Sequence, residues 1–189
     1  TKAYSRAVAG DDTDWEAHLG LGIVLARSGD LETGRDHLER ASELQHGANV
    51  EVEYNLGMVL ESLGLPDRAE EAYERAIAAD AKVVAPLLAL GILYDDVGRY
   101  NDAIRCYQRI VEIEPDHAEA IYRQALSMVN AGDIEGAVEA LGRVKPLLPD
   151  DATVRYNRGV LLEQMGRVME AAREYQEAVS IDPGYANAR

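Results

Sequence analysis

Four histidines, one cysteine and several adjacent carboxylates are the residues of this chain whose types could do chemistry. A metal site built on helices needs histidines a turn apart on one face, or a pair flanking a glutamate. His18, His37, His46 and His117 show no such spacing. His18 and His37 are placed to meet across the first pair of helices, where a packing role is expected. Cys106 stands beside Tyr107 and reads as a small helical residue, since a reactive thiol needs a cationic, partly exposed surround. Adjacent acids such as Glu70 and Glu71, or Asp95 and Asp96, point about 100° apart on a helix, and solvated carboxylates keep ordinary pKa values. The stretch GLGIVLARSG, Gly20 to Gly29, has the glycines of a dinucleotide loop but no strand ahead of it. No nucleophile elbow or phosphate loop occurs. The expectation is a chain with no catalytic residues, no cofactor and no metal.

Whatever this chain does must then rest on surfaces, and the composition limits which. Its 189 residues carry 34 acids against 19 Lys and Arg, a formal charge of −15. Such a surface repels phosphate backbones and anionic lipid, which argues against nucleic acid as a partner. Basic or apolar protein segments fit better. There is no apolar run of about 18 residues, so direct membrane insertion is not expected. A single cysteine and the absence of a basic leader make the cytoplasm the default compartment. The sequence does not begin with methionine and is expected to be a segment of a longer protein. Only Lys2, Lys82 and Lys145 are lysines.

The elements that position these surfaces are legible from self-similarity. YNLGMVLESLGLPDRAEEAYERAIAAD, Tyr54 to Asp80, returns as YNRGVLLEQMGRVMEAAREYQEAVSID, Tyr156 to Asp182. Between and around them glycines recur at Gly29, Gly64, Gly98, Gly132 and Gly166, separated by 35, 34, 34 and 34 residues. A fixed period of this length means stacked supersecondary units. Seven residues before each turn glycine stands a small residue (Gly22, Gly57, Gly91, Ala125, Gly159), where two helices can approach closely. Four residues before it stands a large apolar group (Leu25, Leu60, Tyr94, Met128, Leu162) on a neighbouring stripe. These columns predict a first helix of about 13 residues. After the turn come Gly34, Ala69, Ala103, Ala137 and Ala171, then Leu38, Tyr73, Tyr107, Leu141 and Tyr175, then Ala41, Ala76, Ile110, Val144 and Ala178, one face of a second helix.

Pro115, Pro149 and Pro183, each beside an acidic residue, close the later units; the first closes on QHGANV, with Gly47 as the breaker, and Pro66 begins a helix. The fourth unit departs most. It has Gln124 and Ala125 where others have Leu and Gly, and Pro146 where its second helix should continue. A proline there predicts an early end or a kink, and a softer joint after it.

Small residues after a leucine, a glycine turn, then Ala, Tyr, Ala and Pro at these intervals resemble the tetratricopeptide repeat family, over the whole chain. The resemblance implies an all-α fold, a right-handed α-solenoid of stacked antiparallel helix pairs. It divides the chain into residues 1–14, the second helix of a partial unit carrying Tyr4 and Ala7, then full units at 15–49, 50–83, 84–117, 118–151 and 152–185, and the start of another at 186–189.

In this family the first helices line a concave groove. The groove positions match Leu19 and Ile23, Tyr54 and Met58, Leu88 and Ile92, Tyr122 and Leu126, and Tyr156 and Val160, all apolar or aromatic. Glu16, Glu51, Glu61, Asp95, Asp96, Glu119 and Glu163 surround them, with Arg27 and Arg123 as the few cations. An apolar floor with an acidic rim suits a protein or peptide segment, helical or extended, with large apolar side chains and Lys or Arg. Part of the ladder is equally readable as core between successive helices. Relatives that clamp a chaperone's acidic tail use a basic groove, and those attached to sugar-transferring enzymes an asparagine ladder. Here the ladder positions are Gly20, Asn55, Ala89, Arg123 and Asn157, which fits neither pattern. The function expected is a non-catalytic protein-interaction scaffold. The alternatives are a recruiting or regulatory segment of a larger enzyme and a scaffold that associates with itself.

Overall fold

The structure, a computed structural model, describes residues 2–184. Among these residues it is all helix, eleven in chain order: α1 (Lys2–Gly10), α2 (Trp15–Arg27), α3 (Leu31–Leu44), α4 (Val50–Ser62), α5 (Pro66–Ala79), α6 (Val84–Asp96), α7 (Tyr100–Ile113), α8 (Ala118–Ala131), α9 (Ile134–Val144), α10 (Ala152–Gln164) and α11 (Val168–Ile181). The expected start of a further unit at 186–189 lies outside the described residues. The fold class is an α-solenoid, built from helices paired through short glycine turns. The chain divides into two compact units, Thr1–Leu93 and Tyr94–Arg189. The first packs α1 on α2, α2 on α3, α3 on α4 and α4 on α5; the second packs α7 on α8, α8 on α9, α9 on α10 and α10 on α11.

Every first helix ends in the same way. The glycine of each turn sits at positive φ, from 71° at Gly64 to 93° at Gly29. Gly64 N–H donates to Glu61 O and Leu65 N–H to Leu60 O, at 2.9 and 3.0 Å, and the corresponding pair of bonds recurs at Gly29, Gly98, Gly132 and Gly166. This reversed double bond satisfies carbonyls that the end of a helix leaves free, and its left-handed residue is one that side chains disfavour. The 34-residue recurrence of glycine is therefore a backbone requirement.

The small-residue column is a contact requirement. A Cβ built at Gly57 would lie 2.4 Å from the Tyr73 ring, and one at Gly159 would lie 2.6 Å from that of Tyr175. Tyr73 and Tyr107 are fully buried, with Leu38, Leu60, Ile110, Leu141 and Leu162. The core thus lies between the two helices of each pair. The ring of Tyr4, on α1, rests on Gly20 of α2, 2.5 Å from a Cβ built there.

Asp14, Asp30, Asn49, Asp133 and Asp151 cap helices by accepting backbone N–H bonds. At the turn after Pro115 the cap is not an acid: His117 Nδ1 accepts from Ala120 N–H at 3.2 Å. The helix before Pro146 is short, 11 residues in α9 against 14 in α3, α5, α7 and α11. The chain that follows is tied down by Arg155, which is buried and donates to Leu148 O and Asp151 O at 3.0 and 2.9 Å.

Candidate functional site

The first helices, α2, α4, α6, α8 and α10, carry the residues singled out as a docking face. Of these ten, Leu19 is buried at 7% exposure and belongs to the core. Met58, Leu126 and Val160 are exposed, at 45, 39 and 38%. All three stand six residues before a turn glycine, the same place in three units. Ile23, Tyr54, Leu88, Ile92, Tyr122 and Tyr156 are half-buried.

Two of the tyrosines lean on their own unit's core. The Tyr54 and Tyr73 rings are 6.1 Å apart and tilted by 42°, and those of Tyr156 and Tyr175 are 5.8 Å apart and tilted by 41°. Tyr122 is fixed differently: its hydroxyl accepts from Asn157 Nδ2 at 3.0 Å, which links α8 to α10 within the second unit. In the first unit a cavity of about 190 Å³ opens between α2, α3 and α4, and Ile23 and Met58 both line it.

The acids split into two groups. Glu51 and Asp96 are exposed, and Glu119 pairs with Arg123 one turn on, at 2.9 Å. Glu61, Asp95 and Glu163 instead hold the tyrosines of the second helices. Tyr73 donates to Glu61 Oε2 at 2.9 Å, Tyr107 to Asp95 Oδ2 at 2.8 Å and Tyr175 to Glu163 Oε2 at 2.8 Å. Ser127 adds a second bond to Asp95, at 2.6 Å. Burial first, and then the bond to a carboxylate, push the Tyr73 and Tyr107 hydroxyls far above the usual phenol range, and Tyr175 up to about 12. Three of the rim acids thus have a structural task that orients them. The twelve-residue spacing of acid and tyrosine is the signal in the sequence that marks them.

Two buried carboxylates were not expected from the sequence. Glu53 is fully buried on α4, accepting from Ser42 Oγ and, at 2.7 Å, from Arg75 Nε. Glu174 is 4% exposed on α11 and meets Arg158 and Lys145, the latter at 2.9 Å. Each sits where its helix meets the preceding pair and needs its cation, since an unpaired buried charge costs several kcal/mol. Their signal was an acid on a helix's inward stripe.

The two histidines do meet. His18, at 3% exposure, has its Nδ1 3.0 Å from Nδ1 of His37, and its Nε2 lies 3.4 Å from Asp12 Oδ1. Desolvation, and next the neighbouring His18, lower the His37 pKa. Cys106 is buried beside Tyr107. Among the described residues no three His, Cys, Asp or Glu groups are placed to hold a metal ion, and no helix is long and apolar enough to cross a membrane.

Known proteins give the same fold. The structure of YrrB, described as a tetratricopeptide repeat protein with an unusual peptide-binding site, superposes with a TM-score of 0.82 at 22% identity, covering 96% of this chain and 93% of that one. MamA AMB-1 gives 0.79 at 26% identity over 92% and 94%, and MamA from Desulfovibrio magneticus RS-1 gives 0.77 at 17% identity over 90% and 96%. No match was found among curated proteins. Tetratricopeptide repeat profiles match residues 16–82, residues 61–126 and 96–161, and residues 152–185. Five glycine turns of one geometry, a shared helix-pair core and profile matches from residue 16 to residue 185 place this chain in the tetratricopeptide repeat family.

Proposed function

We propose that this chain is a non-catalytic protein-interaction scaffold that holds an apolar, basic segment against the exposed face of its first helices. The observation that carries the reading is the exposure of Met58, Leu126 and Val160 at one repeat position. Large apolar side chains left at 38 to 45% exposure at one repeat position are costly on a bare surface and useful on a docking face. Glu51, exposed on α4 with Met58, and Glu119, exposed on α8 with Leu126, supply the charge that steers a segment bearing Lys or Arg. YrrB, with the same fold, is described as having an unusual peptide-binding site, which is in keeping with a peptide partner here.

The test is affinity capture with the wild-type chain beside two variants, Tyr54→Ala with Met58→Ala in the first unit and Leu126→Ala with Val160→Ala in the second. A partner lost with either variant, while helical content and melting are retained, supports the face. Retention of the same partners by both would place binding elsewhere.

A second reading, self-association, is favoured by α11. Val168 and Met169 are 61 and 75% exposed, and Met169 stands where the other units have Glu32, Asp67, Asn101 and Glu135. Sedimentation of the wild type and of Met169→Glu separates the two: a concentration-dependent mass abolished by the substitution supports self-association.

A further inference from the structure

In three helix pairs the second-helix tyrosine reaches a carboxylate twelve residues earlier, Glu61–Tyr73, Asp95–Tyr107 and Glu163–Tyr175. In the first pair those two positions are Ala26 and Leu38. Leu38 does the inner half of the tyrosine's work, since its Cγ would lie 2.7 Å from a Cβ at Gly22, as the Tyr73 ring does at Gly57. The outer half of a ring and the carboxylate that would meet it have no counterpart. The cavity of about 190 Å³ is lined by both Ala26 and Leu38, with Met58 and Val59 of α4 opposite.

The charge at this cavity is also specific. Arg27 lines it and forms no ion pair among the described residues, in a chain of net charge −15. The neighbouring polar groups are engaged: Asn55 Nδ2 donates to Glu51 O at 2.7 Å and Ser62 Oγ to Met58 O at 2.8 Å. Arg27 brings the charge to this lining, and its planar guanidinium fork matches one carboxylate.

We propose that this cavity is an anchor pocket for one aromatic or long aliphatic side chain of a partner segment, adjacent to an Asp or Glu side chain of that segment that pairs with Arg27. The partner supplies in trans the ring and the carboxylate that three other helix pairs supply from their own sequence. The pocket rests on the first-helix face being a docking surface and names one subsite of it. Basic residues elsewhere in the segment meet Glu51, exposed on α4, while this single subsite selects an acid.

The experiment uses fluorescein-labelled, acetylated and amidated twelve-residue peptides of alanine and lysine with Phe-Glu, Ala-Glu or Phe-Gln at the centre. Anisotropy should show Phe-Glu binding about tenfold tighter than either of the other two. Ala26→Glu with Leu38→Tyr, which gives this pair the residues of the second, should erase the advantage of Phe over Ala. Arg27→Gln, at an exposed residue with no ion pair, should erase the advantage of Glu over Gln while leaving melting unchanged. Equal binding of Phe-Glu and Ala-Glu by the wild type overturns the pocket. So does an unaltered Phe preference in the folded double variant, or tighter binding of a peptide ending in Phe with a free terminal carboxylate. If the pocket fails but Tyr54→Ala still weakens all the peptides, the docking face stands; if Tyr54→Ala changes nothing either, both readings fall.

Discussion

The Tyr73 hydroxyl donates to Glu61 Oε2 at 2.9 Å, and the bond ties the second helix of a pair to the first across the core. The same relation joins Tyr107 to Asp95 and Tyr175 to Glu163, while Leu38 and Leu141 stand at the tyrosine's position in the two other pairs, with Ala26 and Val129 at that of the acid. Among the described pairs acid and tyrosine therefore occur together or not at all, as expected where a phenol at the core, fully buried at Tyr73 and Tyr107, needs an acceptor.

Tyr73→Phe removes the donor and should lower stability by about 1 kcal/mol in urea unfolding. Tyr107→Phe and Ser127→Ala both strip donors from Asp95, so the double variant should lose more or less than the sum of the singles. A loss below the error of measurement at all three positions would remove these bonds from the account of stability.

The same bonds set an alkaline limit. Because the folded tyrosine pKa values lie above the ordinary phenol value of 10.0, the folded state keeps protons that the unfolded chain releases. Their contribution is present below about pH 10 and lost as pH rises through the folded values. Unfolding monitored by circular dichroism should show the loss, and Tyr175→Phe should reduce its steepness near its value of about 12.

On the acid side His37 acts in the opposite sense. With the folded pKa of His37 lowered from 6.5, the unfolded chain takes up the proton first. Stability is present above about pH 6.5 and lost as pH falls below it. Asp12 and Asp36 favour the charged form and limit the effect, and Arg40 occupies Asp12 at 3.1 Å. His37→Gln should flatten the melting temperature between pH 7 and 5, compared with the wild type.

Gly57→Ala and Gly64→Ala separate two uses of glycine. At Gly57 the added methyl would lie 2.4 Å from the Tyr73 ring, an overpacking that costs about 1–3 kcal/mol. At Gly64 nothing lies within 4 Å and only the φ of 71° resists, at about 1 kcal/mol. Adding Tyr73→Leu to Gly57→Ala should recover stability, and adding it to Gly64→Ala should not.

Amides of residues 138–150 should exchange hydrogen faster than the equivalent 70–82, because Pro146 ends α9 early while α5 runs to Ala79. The bonds from Arg155 hold the chain after α9, at Leu148 and Asp151, and supply no backbone bond to the helix itself. Equal protection would mean that they compensate fully.

The sequence by itself determined the helix pairs, their turns and the family, because a repeat states each requirement five times. A turn glycine at positive φ and a small residue under a ring are local demands that only a few residue types meet, so Gly29 to Gly166 and Gly22 to Gly159 were legible without coordinates. It also marked a ladder of exposed apolar residues, yet left open which rungs face water. Only the tertiary structure decided that, burying Leu19 while leaving Met58 exposed. It also decided that Glu61, Asp95 and Glu163 serve the tyrosines of the second helices, that Glu53 and Glu174 are buried with cations, and that His18 meets His37. The reason is physical: a side chain's exposure and its partner depend on what the neighbouring helix places opposite, and that spans residues far apart in sequence. The cavity beside Arg27 is the clearest case, since it follows from what Ala26 and Leu38 lack and could be seen only once α4 was in place.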